Sequence, residues 1–258
     1  MIRPIRAACA LLLFVLAGCQ QSTSVPRDSR SSPDILLFNG NGISRNGVAA
    51  LQALLEANGF RYDTIDSAHL DALPDARLRE YRLFIVPGGN FEVLGQGLKR
   101  ETVARVRAAV LAGLNYHGIC AGAFFAGDSP YNGLNLTSVR FRFYAISNDG
   151  IRKAVVPIKT ANGVTYDQYW EDGPELSGWG DVVASYPDGT PAVVQGHLGV
   201  GWAVLSGVHA EAPEGWRENM RFRTSAEIDN AYAVTLIRAA LERTPLPQFA
   251  RTSATGAN

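Results

Sequence analysis

The stretch Asn115-Tyr116-His117-Gly118-Ile119-Cys120-Ala121-Gly122-Ala123-Phe124-Phe125-Ala126 decides the reading of this chain. A short run feeds Gly-x-Cys-x-Gly, and small and apolar residues of helical character follow. That is the layout of a nucleophile elbow: a strand ends, the chain turns sharply, and a helix begins under the thiol. The glycines suit a turn that leaves little room for side chains beside the nucleophile. A helix N-terminus favours the thiolate, the reactive form of cysteine. The alternative is a structural cysteine buried between glycines.

A second stretch tips the balance toward chemistry. Trp202-Ala203-Val204-Leu205 leads into Ser206-Gly207-Val208-His209-Ala210-Glu211. Side chains alternate along a strand, so His209 and Glu211 share a side if the alternation continues past its end. Glu211 then orients His209, and His209 serves Cys120 as base: nucleophile, base and orienter are the three parts of a triad. Of the other histidines, His69 has Asp71 two residues downstream while His117 and His197 have no acid there, and His117, on the strand below the elbow, reads as a core histidine. A polar pair at a strand end is the plain alternative for His209 and Glu211.

Working outward, Asp34 to Phe38 is a largely apolar run, as a buried parallel strand requires. Val48, Leu51, Leu54 and Leu55 recur at helical spacing and Asn58-Gly59 ends that helix. Strands are expected at Phe60–Ile65, Tyr81–Val86 and Leu114–Gly118, and a helix at Glu101–Ala112. Antiparallel strands are expected at Val139–Ile146, Ala154–Lys159, Val182–Tyr186, Ala192–Gly196 and Val200–Leu205, with a last amphipathic helix over Ile228–Leu241. Early alternation of strand and helix predicts an α/β fold: a doubly wound, mostly parallel, flavodoxin-like sheet with antiparallel additions. Active residues then sit at the carboxyl ends of its strands. Cys120, His209 and the turn Pro87-Gly88-Gly89-Asn90 all fall at such ends.

The start of the chain addresses the compartment. Arg3 and Arg6 form a positive region, Ala7 to Val15 a short apolar one, and Leu16-Ala17-Gly18-Cys19 reads as a lipobox. Residues 1–18 are thus expected to be a lipoprotein signal peptide, with lipid, palmitate included, on Cys19. An ordinary cleavable signal is the alternative. The apolar run is too short to span a bilayer, so membrane attachment is by anchor. The expected location is the bacterial cell envelope, and Gln20 in place of an Asp points to the periplasmic face of the outer membrane. Residues 19–33 read as a flexible tether, 34–243 as one domain, and 244–258 as a disordered tail.

Lys+Arg 24 balances Asp+Glu 24, and no basic run stands out, which argues against a nucleic-acid partner. With Cys9 in the signal and Cys19 lipidated, Cys120 is the one free thiol expected in the mature chain. That leaves no intramolecular disulfide and no Cys-based zinc site. No phosphate-binding Gly-x-x-x-x-Gly-Lys loop occurs. Neither metal nor cofactor is expected.

Pro87-Gly88-Gly89, Gly118-Ile119-Cys120-Ala121-Gly122 and His209-Ala210-Glu211, in this order, resemble the class I glutamine amidotransferase-like superfamily. The closer likeness is to the amidotransferase-like domain at the N-terminus of eukaryotic biotin–protein ligases and its free-standing bacterial relatives. It is carried by Gly-Ile-Cys-Ala-Gly-Ala-Phe, by Tyr169-Trp170-Glu171-Asp172-Gly173-Pro174-Glu175 and by Leu205-Ser206-Gly207-Val208-His209. That family usually has His-Pro-Glu where this chain has His-Ala-Glu; both chemical groups are kept. Biotin ligation is not implied.

The expected chemistry is acyl transfer from an amide or ester, in a small-molecule or peptide-like substrate, to Cys120. His209 moves the proton and Glu211 holds the imidazole. The oxyanion is expected to meet the backbone N–H of Ala121 and a second from the Gly88-Gly89-Asn90 turn. Tyr169, Trp170, Glu171 and Asp172, with Tyr166, form an aromatic-acidic cluster expected to line the substrate pocket; a packed hairpin with its acids in solvent is the alternative. The rival for the whole chain is a non-catalytic ligand-binding or scaffold lipoprotein that retains the fold.

Overall fold

The computed structural model describes residues 33–250. The expected signal peptide, Cys19 and the expected tether up to residue 32 lie outside the described residues, as does the tail beyond residue 250.

In chain order the elements are β1 (Ile35–Phe38), α1 (Arg45–Ala57), β2 (Tyr62–Ile65), α2 (Ser67–Ala72), α3 (Asp75–Leu78), β3 (Leu83–Val86), α4 (Phe91–Gln96), α5 (Arg100–Leu111), β4 (Asn115–Ile119) and α6 (Ala121–Ala126). Then follow β5 (Arg142–Phe143), a 3-10 turn (Ala145–Asp149), β6 (Lys153–Thr160), β7 (Thr165–Glu171), β8 (Pro174–Glu175), β9 (Asp181–Ser185), β10 (Pro191–Leu198) and β11 (Gly201–Ser206). A second 3-10 turn (Glu214–Trp216) and α7 (Ala226–Glu242) complete them.

A nine-stranded sheet carries the fold, in the order β2-β1-β3-β4-β11-β10-β9-β6-β7. From β2 to β11 every pairing is parallel, and the order is the flavodoxin-like one. From β11 onward every pairing is antiparallel. The parallel strands are covered on both faces, so they are apolar along their whole length: β1, Ile-Leu-Leu-Phe, is buried at every position. Leu51 and Leu55 of α1 pack with Leu236 and Ile237 of α7 in one core layer. Val103 and Val106 of α5 pack with Phe124 of α6 in the other. Each such fully buried Leu, Ile or Phe contributes about 1.5–3 kcal/mol. Ser44 starts α1 by accepting the Gly47 amide at 3.3 Å, and Ser225 starts α7 by accepting that of Ile228 at 3.3 Å.

Two expectations need correction. Val139–Ile146 is not a strand: only Arg142 and Phe143 pair, with Glu175 and Pro174. The chain instead turns so that Tyr144 stacks on Tyr186 with ring centroids 3.8 Å apart. The tail is held at its start. Gln195, buried in β10, donates to Leu246 O at 2.8 Å and accepts from Leu246 N at 2.8 Å, and Phe249 N donates to Val182 O at 2.8 Å. A buried amide with both its ends satisfied by one backbone residue fixes that residue in place.

A close helix-on-strand contact lies under the elbow. A Cβ on Gly122 would stand 2.0 Å from Val86 O, so α6 rests directly on the backbone of β3. Gly122→Ala is expected to lower the unfolding free energy by about 1–3 kcal/mol, as overpacking does. Gly215→Ala, where the added carbon meets nothing within 4 Å, serves as the control in urea titrations. Equal midpoints for the two variants would mean that α6 can back away from β3 without cost.

Candidate active site

Cys120 follows β4 directly, with φ 50° and ψ −104°, a conformation that non-glycine residues rarely adopt. Its N–H donates to Ser206 O at 2.8 Å, which ties the turn to the end of β11. Strain of this kind, held by close packing on both sides, marks an elbow that presents its side chain outward. The thiol is almost fully buried and lies 3.5 Å from Glu171 O.

β4 and β11 are adjacent and parallel, with Ile119 opposite Ser206. Cys120 and the segment after Ser206 therefore emerge at the same end of the sheet. That segment turns back, and His209 N donates to Tyr169 O on β7 at 2.9 Å. His209 Nδ1 stands 2.8 Å from Glu211 Oε1, with both side chains buried. Gly88 makes room for the imidazole: a Cβ there would lie 2.5 Å from His209 Cε1. Burial pulls the imidazole pKa down, but the Glu211 carboxylate and the neighbouring Cys120 side chain push it up, and the net is well above the ordinary histidine value. His117 behaves differently. Burial lowers its pKa, and its Nδ1 lies 3.0 Å from Val204 O, beneath the site.

Cys120 and His209 line one cavity of about 540 Å³. Gly88 and Gly89 border it, and Ser44, Asn46 and Gly47 border it from the start of α1. Lys153, Tyr169, Glu171 and Asp172 come from the β6–β7 hairpin, and Gly215 and Trp216 from the turn after Glu211. Ala121, first residue of α6, has no helical acceptor for its N–H, which leaves that donor beside the thiol. In the facing turn Gly89 N–H makes no backbone bond.

Asn90 is not a second donor. Its N–H is taken by Gly42 O at 2.7 Å, and its side chain caps α4 by accepting from Glu92 N and Val93 N. The turn residue starts a helix that its sequence did not announce. The aromatic-acidic cluster also divides. Tyr169 and Glu171 face the cavity, and Tyr169 Oη donates to Glu171 Oε2 at 2.7 Å. Trp170, between them, points the other way into the core and is fully buried. Tyr166 stacks on Tyr232 of α7, with centroids 4.6 Å apart. Asp172, at φ 45°, pairs with Arg152 at 3.2 Å. Lys153, which no sequence motif marks, pairs with Glu171 at 3.7 Å.

Trp216 is likewise unmarked by any motif. It is half-buried, and its ring lies 5.9 Å from that of His209 and 5.4 Å from that of Tyr169. The next residue roots it. Arg217 is buried, pairs with the equally buried Asp229 at 3.2 Å, and stacks over Phe222 at 3.7 Å. Burial raises the Asp229 pKa to about 6 against the pull of Thr224 and Arg217.

Residues 33–131 match the family model described as biotin-protein ligase, N terminal. The match includes Cys120 and the Gly88-Gly89 turn and stops before His209. No curated protein matches the chain. Among solved structures, the chain is similar to PurLQS from Thermotoga maritima, at 17% identity and a TM-score of 0.54, covering 80% of this chain and 98% of that one. It is also similar to a GMP synthase component from Thermoplasma acidophilum, at 12% identity and a TM-score of 0.52, covering 82% and 96%. A third likeness is to the exo-beta-1,4-mannosidase Op5Man5 from Opitutaceae bacterium strain TAV5, at 11% identity and a TM-score of 0.53. It covers 80% of this chain and spans only 36% of that protein. The first two are class I glutamine amidotransferase folds. The chain has an amidotransferase-like fold, and these identities speak of fold alone.

A raised folded-state pKa for His209 adds stability that is fully present below the unfolded value of about 6.5 and is lost as pH rises through the folded value. NMR titration of the His209 ring is expected to show a midpoint clearly above 6.5, and in Glu211→Gln a midpoint well below that of wild type, because the burial penalty loses its strongest counterweight. An unchanged midpoint in the variant would mean that Glu211 does not hold the imidazole.

Proposed function

We propose that the chain is an amidotransferase-like cysteine hydrolase that acts on an amide or ester through Cys120, His209 and Glu211. One observation carries this reading: the strained, cavity-facing Cys120 and a buried His209 share a cavity, and His209 Nδ1 is held by Glu211 at 2.8 Å.

Nδ1–H donates to Glu211, so Nε2 is the nitrogen that serves the reaction. The strong proton affinity that Glu211 gives the ring draws the Cys120 thiol proton onto Nε2 before the attack, and Cys120 Sγ attacks the carbonyl carbon as the thiolate. The carbonyl oxygen, now anionic, lies between Ala121 N–H and the Gly88-Gly89 turn, where each donor is worth about 3–4 kcal/mol in the transition state. The bond to the leaving group breaks, and Nε2–H returns the proton to it. Water then attacks the thioester, giving its proton to Nε2 and releasing acid and thiol.

The second part of the proposal is location. The lipobox Leu16-Ala17-Gly18-Cys19 supports lipid attachment at Cys19 and a place on the cell envelope, with a small-molecule or peptide-like amide or ester as partner. Among the described residues no helix is long and apolar enough to cross a membrane.

Cys120→Ser and His209→Ala are each expected to lower turnover of an activated ester by at least about a thousandfold, as removal of triad members does. Cys120→Ala is expected to keep the wild-type unfolding midpoint within about 1 kcal/mol. Full turnover in Cys120→Ser would refute the nucleophile; an intact wild type with no turnover on any amide or ester would favour the binding-protein alternative. Separately, Cys19→Ser is expected to abolish incorporation of labelled palmitate, and incorporation that persists would refute the lipobox.

A further inference from the structure

The leaving group must be near His209 when the proton is returned to it, so whatever stands beside the imidazole touches the leaving group. In this chain two aromatic rings stand there, Tyr169 at 5.8 Å and Trp216; Tyr169 is buried with its hydroxyl held by Glu171, and Trp216 is the half-buried one. Its ring lies 5.9 Å from the His209 ring and 5.4 Å from that of Tyr169, and all three side chains border the cavity that holds Cys120. These are edge-on and tilted contacts, at 74° and 54°. They leave part of the half-buried indole open to the cavity.

The wall is built to stay in place. Arg217 is locked by Asp229 at 3.2 Å and Phe222 at 3.7 Å. Arg223 closes the far end of the same loop on Asp167 at 2.7 Å, and Thr224 Oγ1 donates to Asp229 Oδ1 at 2.8 Å. Charged residues of the hairpin, Lys153, Glu171 and Asp172, also line the cavity, with Lys153 Nζ 5.5 Å over the Tyr169 ring. The cavity thus has an aromatic wall against the general acid, with charged hairpin residues beside it.

We propose that Trp216 is a specificity-determining residue that seats the leaving group, and that the substrate therefore releases an amine or alcohol with a planar or apolar face, not ammonia. This rests on the hydrolase reading above. In the step concerned, the carbonyl carbon gains its bond to Cys120 Sγ and loses its bond to the leaving nitrogen or oxygen. That atom takes the proton which His209 Nε2 received from the thiol, and the released group departs along the indole. Water completes the cycle as already described.

The test uses the full chain and two acetate esters that share an acyl group, phenyl acetate and methyl acetate. Trp216→Ala is expected to lower kcat/KM about tenfold for the phenyl ester and less than about twofold for the methyl ester. Trp216→Phe is expected to keep most of the phenyl-ester rate. A second arm needs no turnover: benzylamine is expected to slow alkylation of Cys120 by iodoacetamide in wild type and to lose that protection in Trp216→Ala, whereas ammonium protects neither. Equal losses for both esters, or protection by benzylamine that survives Trp216→Ala, overturn the seat and leave the hydrolase reading standing. Ester turnover that survives Cys120→Ser overturns the hydrolase reading instead, whatever benzylamine does.

Discussion

The bond from Cys120 N–H to Ser206 O, 2.8 Å long, is the contact on which the site depends. It extends the parallel ladder of β4 and β11 past the last paired residues, Ile119 and Ser206. With it, the turn at Cys120 and the turn at His209 leave the sheet side by side. Slipping that register by one residue would invert the faces of β11 and carry His209 away from the thiol. Close packing below guards the register, since α6 sits on β3 with no space for even a methyl group at Gly122. The strained backbone at Cys120 is stable for the same reason: the surroundings allow no relaxed alternative.

Electrostatics adds a second constraint. Burial of the imidazole opposes its charge, and the Glu211 carboxylate, itself buried, reverses that effect. Breaking a buried pair by removing one partner is costly, because the remaining group is left without compensation. The pair thus couples chemistry to folding. The Arg217–Asp229 pair does similar work beneath Trp216, tying the end of the second 3-10 turn to the first turn of α7.

The parallel half is legible in the sequence because buried strands and amphipathic helices leave continuous or periodic apolar patterns, and the elbow and His-x-Glu are short local words. What escapes reading depends on contacts made far along the chain. Trp216 and Lys153 reach the cavity of the thiol only through the turn after β11 and the β6–β7 hairpin. Trp170 is set apart by a signal that the sequence does carry: period-two alternation along β7 puts Tyr169 and Glu171 on one face and Trp170 on the other. Asn90 reads as an oxyanion donor because α4, six residues long with an internal glycine, leaves little periodicity to reveal the cap. Val139–Ile146 alternates like a strand, yet stacking of Tyr144 on Tyr186 decides its path.

The sheet changes character at β11, parallel on one side and antiparallel on the other. The backbone of the nucleophile is held on the parallel side, while the hairpin that forms the charged rim belongs to the antiparallel side and meets the thiol through Glu171 O. The two are joined across the cavity by few backbone bonds, such as that from His209 to Tyr169. Hairpin residues such as Lys153 and Asp172 are therefore exchangeable without disturbing the elbow. Such a scaffold can be retargeted by rewriting one hairpin, with the machinery that breaks the bond left as it stands.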